Sequence, residues 1–232
     1  MDKYPLQPKA DILILAGDIV PFAQVHEHQD FFDDVSAKFK KTYWIAGNHE
    51  YYYSDINNRS GSFIEKVREN IFLLNNSVVQ EGEYSLIFST LWTHISPSKS
   101  TIIGDRLSDF FVISNGNKKI TVDDYNEIHK ADLNFIKSAL THSQEMKTIV
   151  ISHHVPTFRN YPLKYASSPV NEAFATELQD VIELYQPDFW IYGHSHVNTP
   201  EFMIGKTKLL TNQLGYLRYK ENVGYKEIAL IG

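Results

Sequence analysis

Four apolar runs in this chain end in the same way, and that repeated ending constrains the fold more than any other feature of the sequence. Leu13-Ile-Leu-Ala closes on Gly17-Asp18, and Trp44-Ile-Ala closes on Gly47-Asn48-His49-Glu50. Val150-Ile-Ser closes on His153-His154, and Ile191-Tyr on Gly193-His194-Ser195-His196. Each run is short and has no polar face, as a strand covered on both sides requires. In an open α/β sheet, ligands gather beyond the carboxyl ends of strands, so the four endings are expected to converge on one crevice. A Gly-Asp pair alone is what any turn carries. The joint occurrence, always at a strand end, is what points to chemistry. The convergent set is Asp18, Asn48, His49, His153, His154, His194 and His196. Imidazole, amide and carboxylate without thiolate suit Zn, Mn or Fe.

Between these runs the pattern alternates strand with helix. Phe31, Phe32, Val35 and Phe39 recur at helical spacing, which predicts a helix over 28–40. Ser62 is a plausible N-cap for a short helix over 62–70. Residues 71–74, 77–80 and 84–90 read as strands joined by tight turns. The stretch 93–120, rich in Ser, Pro and Gly, reads as a long loop. Residues 122–140 carry the longest helical pattern, 155–170 form a second loop, and 171–185 read as helix. The tail from Glu201 alternates like hairpin strands. No linker or repeat interrupts the pattern, so one domain over 1–232 is expected.

Composition removes several functional classes. With 43% apolar and 22% charged residues, the chain can build an ordinary core. It contains no cysteine, which removes disulfides, thiolate metal sites and a cysteine nucleophile. A net charge of -6, with no basic stripe, weighs against nucleic acid as the partner. No apolar run approaches the roughly 20 residues of a membrane span. The opening Met1-Asp-Lys-Tyr-Pro lacks a secretory layout, so a cytoplasmic location is expected. The oligomeric state is left open.

The motifs Gly17-Asp18, Gly47-Asn48-His49-Glu50, Ser152-His153-His154-Val155-Pro156 and Gly193-His194-Ser195-His196 resemble those of the calcineurin-like metallophosphoesterases, in order and in rough spacing. Asn48 to Tyr52, Leu91-Trp92-Thr93 and the late Asn212, Gly215 and Tyr216 are similar to bacterial members of unassigned substrate. The resemblance implies an α/β fold, a four-layer α-β-β-α sandwich, with a two-metal centre at one end of two sheets. It implies that Asp18 bridges both metals, and that Asn48, His153 and His194 complete the shell of the second. His196 would bind the first metal, and His49 would stabilise the phosphate or protonate the leaving group. His153 is preferred as ligand within its pair because it follows the strand directly, leaving His154 to contact substrate. Arg159, in the following loop, is a candidate phosphate contact. The implied reaction is hydrolysis of a small phosphomonoester or phosphodiester by a metal-bound hydroxide.

One part of that pattern is missing. Family members open with a strand ending in Asp-x-His, which supplies two ligands to the first metal, and no Asp-x-His occurs in this sequence. Residues 1–10 look like the loop that follows such a strand. The second metal keeps Asp18, Asn48, His153 and His194, whereas the first keeps Asp18 and His196, too few for a stable site. The expectation is therefore one tightly held metal, with the first strand absent. A non-catalytic interaction protein with a degraded metal site is the alternative. His26 and His28 are the residues to examine as replacements for the lost pair. His94, His129 and His142 read as loop, packing and helix-end residues, and Tyr51, Tyr52 and Tyr53 as packing beneath the metal loop.

Overall fold

The computed structural model describes residues 6–143, 145–227 and 229–231. The chain begins with β1 (Ile12–Leu15), a 3-10 segment (Phe22–His28), α1 (Gln29–Lys38) and β2 (Lys41–Ile45). Then come β3 (Phe63–Arg68), β4 (Ile71–Asn75), β5 (Ser77–Glu81) and β6 (Tyr84–Ser89). An insert holds α2 (Pro97–Gly104), α3 (Asp109–Val112) and the small hairpin β7 (Ser114–Asn115) and β8 (Lys118–Lys119). The rest is α4 (Val122–His142), β9 (Lys147–Ser152), α5 (Gln179–Tyr185), β10 (Phe189–Ile191), β11 (Phe202–Ile204) and β12 (Thr207–Leu210).

Among the described residues, one sheet has the order β1-β2-β4-β3 and the other β11-β12-β10-β9-β6-β5. Side-chain alternation along the strands builds the layers. Tyr43, Ile45, Leu74, Leu86, Phe88, Ile149 and Ile151 face between the sheets. The intervening Trp44, Ile71 and Leu73 face α1, meeting Phe32, Val35 and Phe39. Ile87, Val150 and Trp190 face the other way, onto Ile136 and Leu140 of α4 and Ile182 of α5. The result is the expected α-β-β-α order. Strands β1, β2, β9 and β10 pair in parallel fashion with their sheet neighbours, so within each sheet their carboxyl ends open the same way.

β1 is the exception in burial. Its residues are only partly covered except Leu15, because among the described residues it pairs with β2 alone. A cavity of about 930 Å³ lies beside it, lined by Ile12, Ile14, Ile191 and Leu210 and, near the strand ends, by Asp18 and His196. An open edge of this kind is where a further strand could pair. Of the opening segment 1–10, residues 1–5 lie outside the described residues.

Three expectations need correction. Residues 63–68 are strand, not helix: Ser62 donates its hydroxyl to the Asn76 carbonyl instead of capping, and β3 pairs antiparallel with β4. The stretch 93–120 is not one loop, because Pro97 occupies the first turn of α2 and the chain then folds into α3 and a hairpin. Within 171–185, only Gln179–Tyr185 is α-helix, after a 3-10 turn at Asn171–Ala173. The longest helix lies close to its expected span. Thr121 and Asp124 form a reciprocal capping box at its start.

Candidate metal centre

The loops after β1 and β2 are built to bring side chains close. Gly17 has φ +88, and a Cβ there would lie 2.3 Å from His153 Nδ1. A Cβ on Gly47 would lie 2.3 Å from Asp18 Oδ1 and 2.5 Å from His153 Cε1. Glycine is needed at both because the ligands close in over the bare backbone. Asp18, His194 and His196 themselves take positive φ values of 58, 66 and 50, so each side chain turns back over its strand end.

Glu50 ties these loops together. Its buried carboxylate accepts from the backbone N–H of Asp18 at 2.8 Å, Ile19 at 2.6 Å, Val20 at 3.3 Å and Gly47 at 2.6 Å. The Trp44 indole adds a fifth donor at 3.2 Å. Burial pushes the Glu50 pKa up, and the backbone donors pull it back. Five N–H groups with no acceptor among them fit the ionised form.

Asp18, His153 and His194 offer ligand atoms within 4.8 Å of one another. His153 Nδ1 lies 2.8 Å from the Ala16 carbonyl, so this nitrogen carries the proton. Its Nε2 then faces Asp18 Oδ1 at 3.3 Å, Asn48 Oδ1 at 3.3 Å and His194 Nδ1 at 3.0 Å, a place for a proton or a cation. Asp18 Oδ2 and His194 Nε2 are buried without a hydrogen-bond partner among the described residues. Burial opposes ionisation of both Asp18 and His153, yet each favours the other's charged form, which holds the Asp18 carboxyl well below the usual range and pushes the His153 ring up. Burial, with the neighbouring imidazoles, also pushes His194 well below the ordinary histidine value, which keeps its ring neutral and able to ligate.

The other candidates stand at different depths. His196 is outside the tight cluster, lining the cavity beside β1, with Nδ1 2.9 Å from Glu221 Oε2. Such a carboxylate fixes the tautomer and leaves Nε2 free. His49 stacks on Tyr52 at 4.3 Å, and its Nδ1 lies 3.2 Å from the Tyr216 hydroxyl. His154 does not reach a substrate surface: it is fully buried between Trp92, Tyr125 and His194. The reason is direction, since the next residue along the chain turns into the core when His153 faces the crevice. Arg159 is exposed on the following loop, and its backbone N–H bonds Thr157.

His26 and His28 are exposed on the 3-10 segment, with His26 beside Glu27 at 3.8 Å, so they do not replace the lost pair. His129 is a buried packing residue whose Nδ1 meets the Trp92 carbonyl at 2.5 Å, and His142 closes onto the Ser138 carbonyl at 2.7 Å. Tyr51 is buried, whereas Tyr53 points outward. Sequence reasoning assigned no role to Glu50, Asp109, Glu221 or Tyr216 as site residues. Glu50 had a signal, since an acid directly after Asn48-His49 is within reach of the same loop.

The fold and this arrangement of strand ends match known proteins. Residues 1–198 match the calcineurin-like phosphoesterase family, and the chain belongs to that family. It is 35% identical over 230 residues to the uncharacterized protein L509 of Acanthamoeba polyphaga mimivirus, covering 90% of this chain and 80% of the viral one. The crystal structure of the phosphopantetheinyl hydrolase PptH from Mycobacterium tuberculosis shares the fold, with a TM-score of 0.68 at 18% identity. That likeness covers 93% of this chain and 82% of PptH. Among the described residues, no helix is long and apolar enough to cross a membrane.

Proposed function

We propose that this protein hydrolyses a small phosphomonoester or phosphodiester with the help of a divalent cation held by Asp18, Asn48, His153 and His194. The observation that carries the reading is the convergence of possible ligand atoms around His153 Nε2. A carboxylate oxygen, an amide oxygen and a second imidazole nitrogen lie within 3.3 Å of it. Acceptors do not crowd together in a buried site unless a cation or a proton lies among them. The mixed oxygen and nitrogen donors fit Mn, Fe or Zn. Asp18 Oδ2, buried with no hydrogen-bond partner among the described residues, would with His196 offer a second, weaker position.

When bound, the cation supplies Lewis acidity to a phosphoryl oxygen and makes an attacking water more acidic. The chain's own residues do the rest. His49, half-buried and held between Tyr52 and Tyr216, is positioned to stabilise phosphate charge or to give a proton to the leaving oxygen. Glu50 keeps the Asp18 and Asn48 loops at fixed separation, which preserves the near-attack geometry. Arg159 is the phosphate contact proposed from the 155–170 loop. A cytoplasmic setting is the expectation carried over from the sequence.

The test is metal content together with turnover of aryl phosphate mono- and diesters in Mn²⁺. His153→Ala and His194→Ala are each expected to abolish turnover with the fold retained. Activity surviving either change within about tenfold would overturn the ligand set, because removing one ligand costs more than the 10–100-fold loss typical of its supporting residues. A wild-type chain that holds no metal would instead support a non-catalytic interaction protein on this fold.

A further inference from the structure

Asn48 can serve a cation only through its oxygen, and something must decide which end of its amide faces the crevice. The two ends are nearly the same size, and only the carbonyl oxygen has lone pairs to give. Asp109, at the start of α3, lies 61 residues away in sequence and is fully buried. Its Oδ1 and Oδ2 lie 3.0 Å and 3.1 Å from Asn48 Nδ2. Tyr52 donates its hydroxyl to Oδ1 at 2.8 Å, and Tyr125 donates to Oδ2 at 2.7 Å. Every hydrogen bond that Asp109 makes through its side chain is one it accepts.

We infer that Asp109 is a positioning residue for the metal centre: its carboxylate holds the Asn48 amide with the oxygen toward His153. A reversed amide would set Oδ1 of Asn48 against two carboxylate oxygens, acceptor against acceptor, in a dry site. The hub also fixes more than one amide. Tyr52 stacks on His49, and Tyr125 belongs to α4, so α3 is tied to the metal loop and to the candidate acid through one carboxylate. The insert 93–120 supplies the group that makes Asn48 a ligand.

The inference rests on the metal-centre reading above, and the experiment separates the two. Mn²⁺ affinity is measured calorimetrically, alongside the metal-free thermal midpoint, for wild type, D109N, N48D and the double variant N48D/D109N. D109N keeps the shape of the side chain but lets the amide turn, and is expected to weaken Mn²⁺ binding about 10–100-fold. N48D sets two carboxylates together, so one must take a proton, and it also weakens binding. The double variant exchanges donor and acceptor across the same contact. The amide introduced at position 109 would donate to the carboxylate introduced at position 48, while its own oxygen still accepts from a tyrosine. Binding therefore recovers to at least tenfold tighter than the weaker single variant, roughly one hydrogen-bonded contact regained.

Additive losses in the double variant overturn the inference, as does D109N binding Mn²⁺ within about twofold of wild type. If D109N does not fold, the comparison of N48D with the double variant decides in the same way. Wild-type protein that takes up no Mn²⁺ overturns the metal reading itself and this inference with it.

Discussion

Replacing Glu50 by Gln is the sharpest perturbation of the scaffold, because the change removes a charge and almost no volume. In the native site Oε2 accepts from Asp18 N at 2.8 Å and Gly47 N at 2.6 Å, while Oε1 accepts from Ile19, Val20 and the Trp44 indole. A glutamine must put its NH₂ against one of those two groups. The less costly choice sacrifices the two bonds at Oε2, and the reverse sacrifices three. Hydrogen bonds to a charged group contribute about 1.5–3 kcal/mol each, so the loss is about 3–6 kcal/mol. That is a large part of the roughly 5–15 kcal/mol that holds a domain together. Urea unfolding at neutral pH, followed by the fluorescence of the buried Trp44, Trp92 and Trp190, reads the change directly. Mn²⁺ binding should fall in parallel, since the same bonds set the Asp18 and Asn48 loops. A destabilisation below about 1 kcal/mol would mean that water or loop movement satisfies those N–H groups, and the argument for Glu50 as the clamp would fail.

Further predictions follow from the same contacts. Gly47→Ala drives a methyl to 2.3 Å from Asp18 Oδ1, so turnover should drop at least about 100-fold while the far core stays folded; unaltered kinetics would refute the close approach. Asp132, buried and bonded to Asn76 and the Trp92 N–H, has its pKa pushed up by burial from 3.8 to about 7. The native state therefore binds the extra proton between those values, and the stabilisation is complete below about pH 4 and lost as the pH rises toward 7, by up to about 1.4 kcal/mol per unit. In urea unfolding across that range the difference between wild type and Asp132→Asn should move in favour of the variant as pH rises, and a constant difference would refute the assignment. A chain carrying an added N-terminal strand that ends in Asp-x-His should fill the cavity beside β1 and raise metal content from about one to about two per chain, with faster turnover. Two tightly bound metals in the 232-residue chain without that strand would show that the Asp18 and His196 side needs no such help.

Reading the sequence worked best where the signal is local. Apolar runs such as 148–152 declared strands, because a strand covered on both faces has no polar residue to hide. The helical pattern from 122 onward marked α4 for a similar reason, and the structure closes its start locally, with Thr121 and Asp124 capping across three residues. The segment 62–70 misled because its apolar residues fit both periods over so short a span, and the antiparallel pairing with β4 decided between them. The 93–120 insert misled because its Ser, Pro and Gly also serve helix starts and turns, and packing of Ile103 and Phe110 into the core chose helix.

The candidate ligands were legible because each ends a strand, and parallel strands bring their ends together whatever the details of the loops. What faces them was not legible. Glu50 accepts from Ile19, 31 residues away, and Asp109 accepts from Asn48, 61 residues away. Nor could the sequence say that His154 packs between Trp92 and Tyr125, away from any substrate, since that follows from the room those rings leave in the core. Residue type and spacing marked the strand ends and the candidate donors, and the motifs at those ends carried the family resemblance. Only the tertiary structure decided which donors meet, which end of an amide faces the crevice and which edge lies open, because those depend on hydrogen bonds between segments whose separation along the chain carries no information about their distance in space.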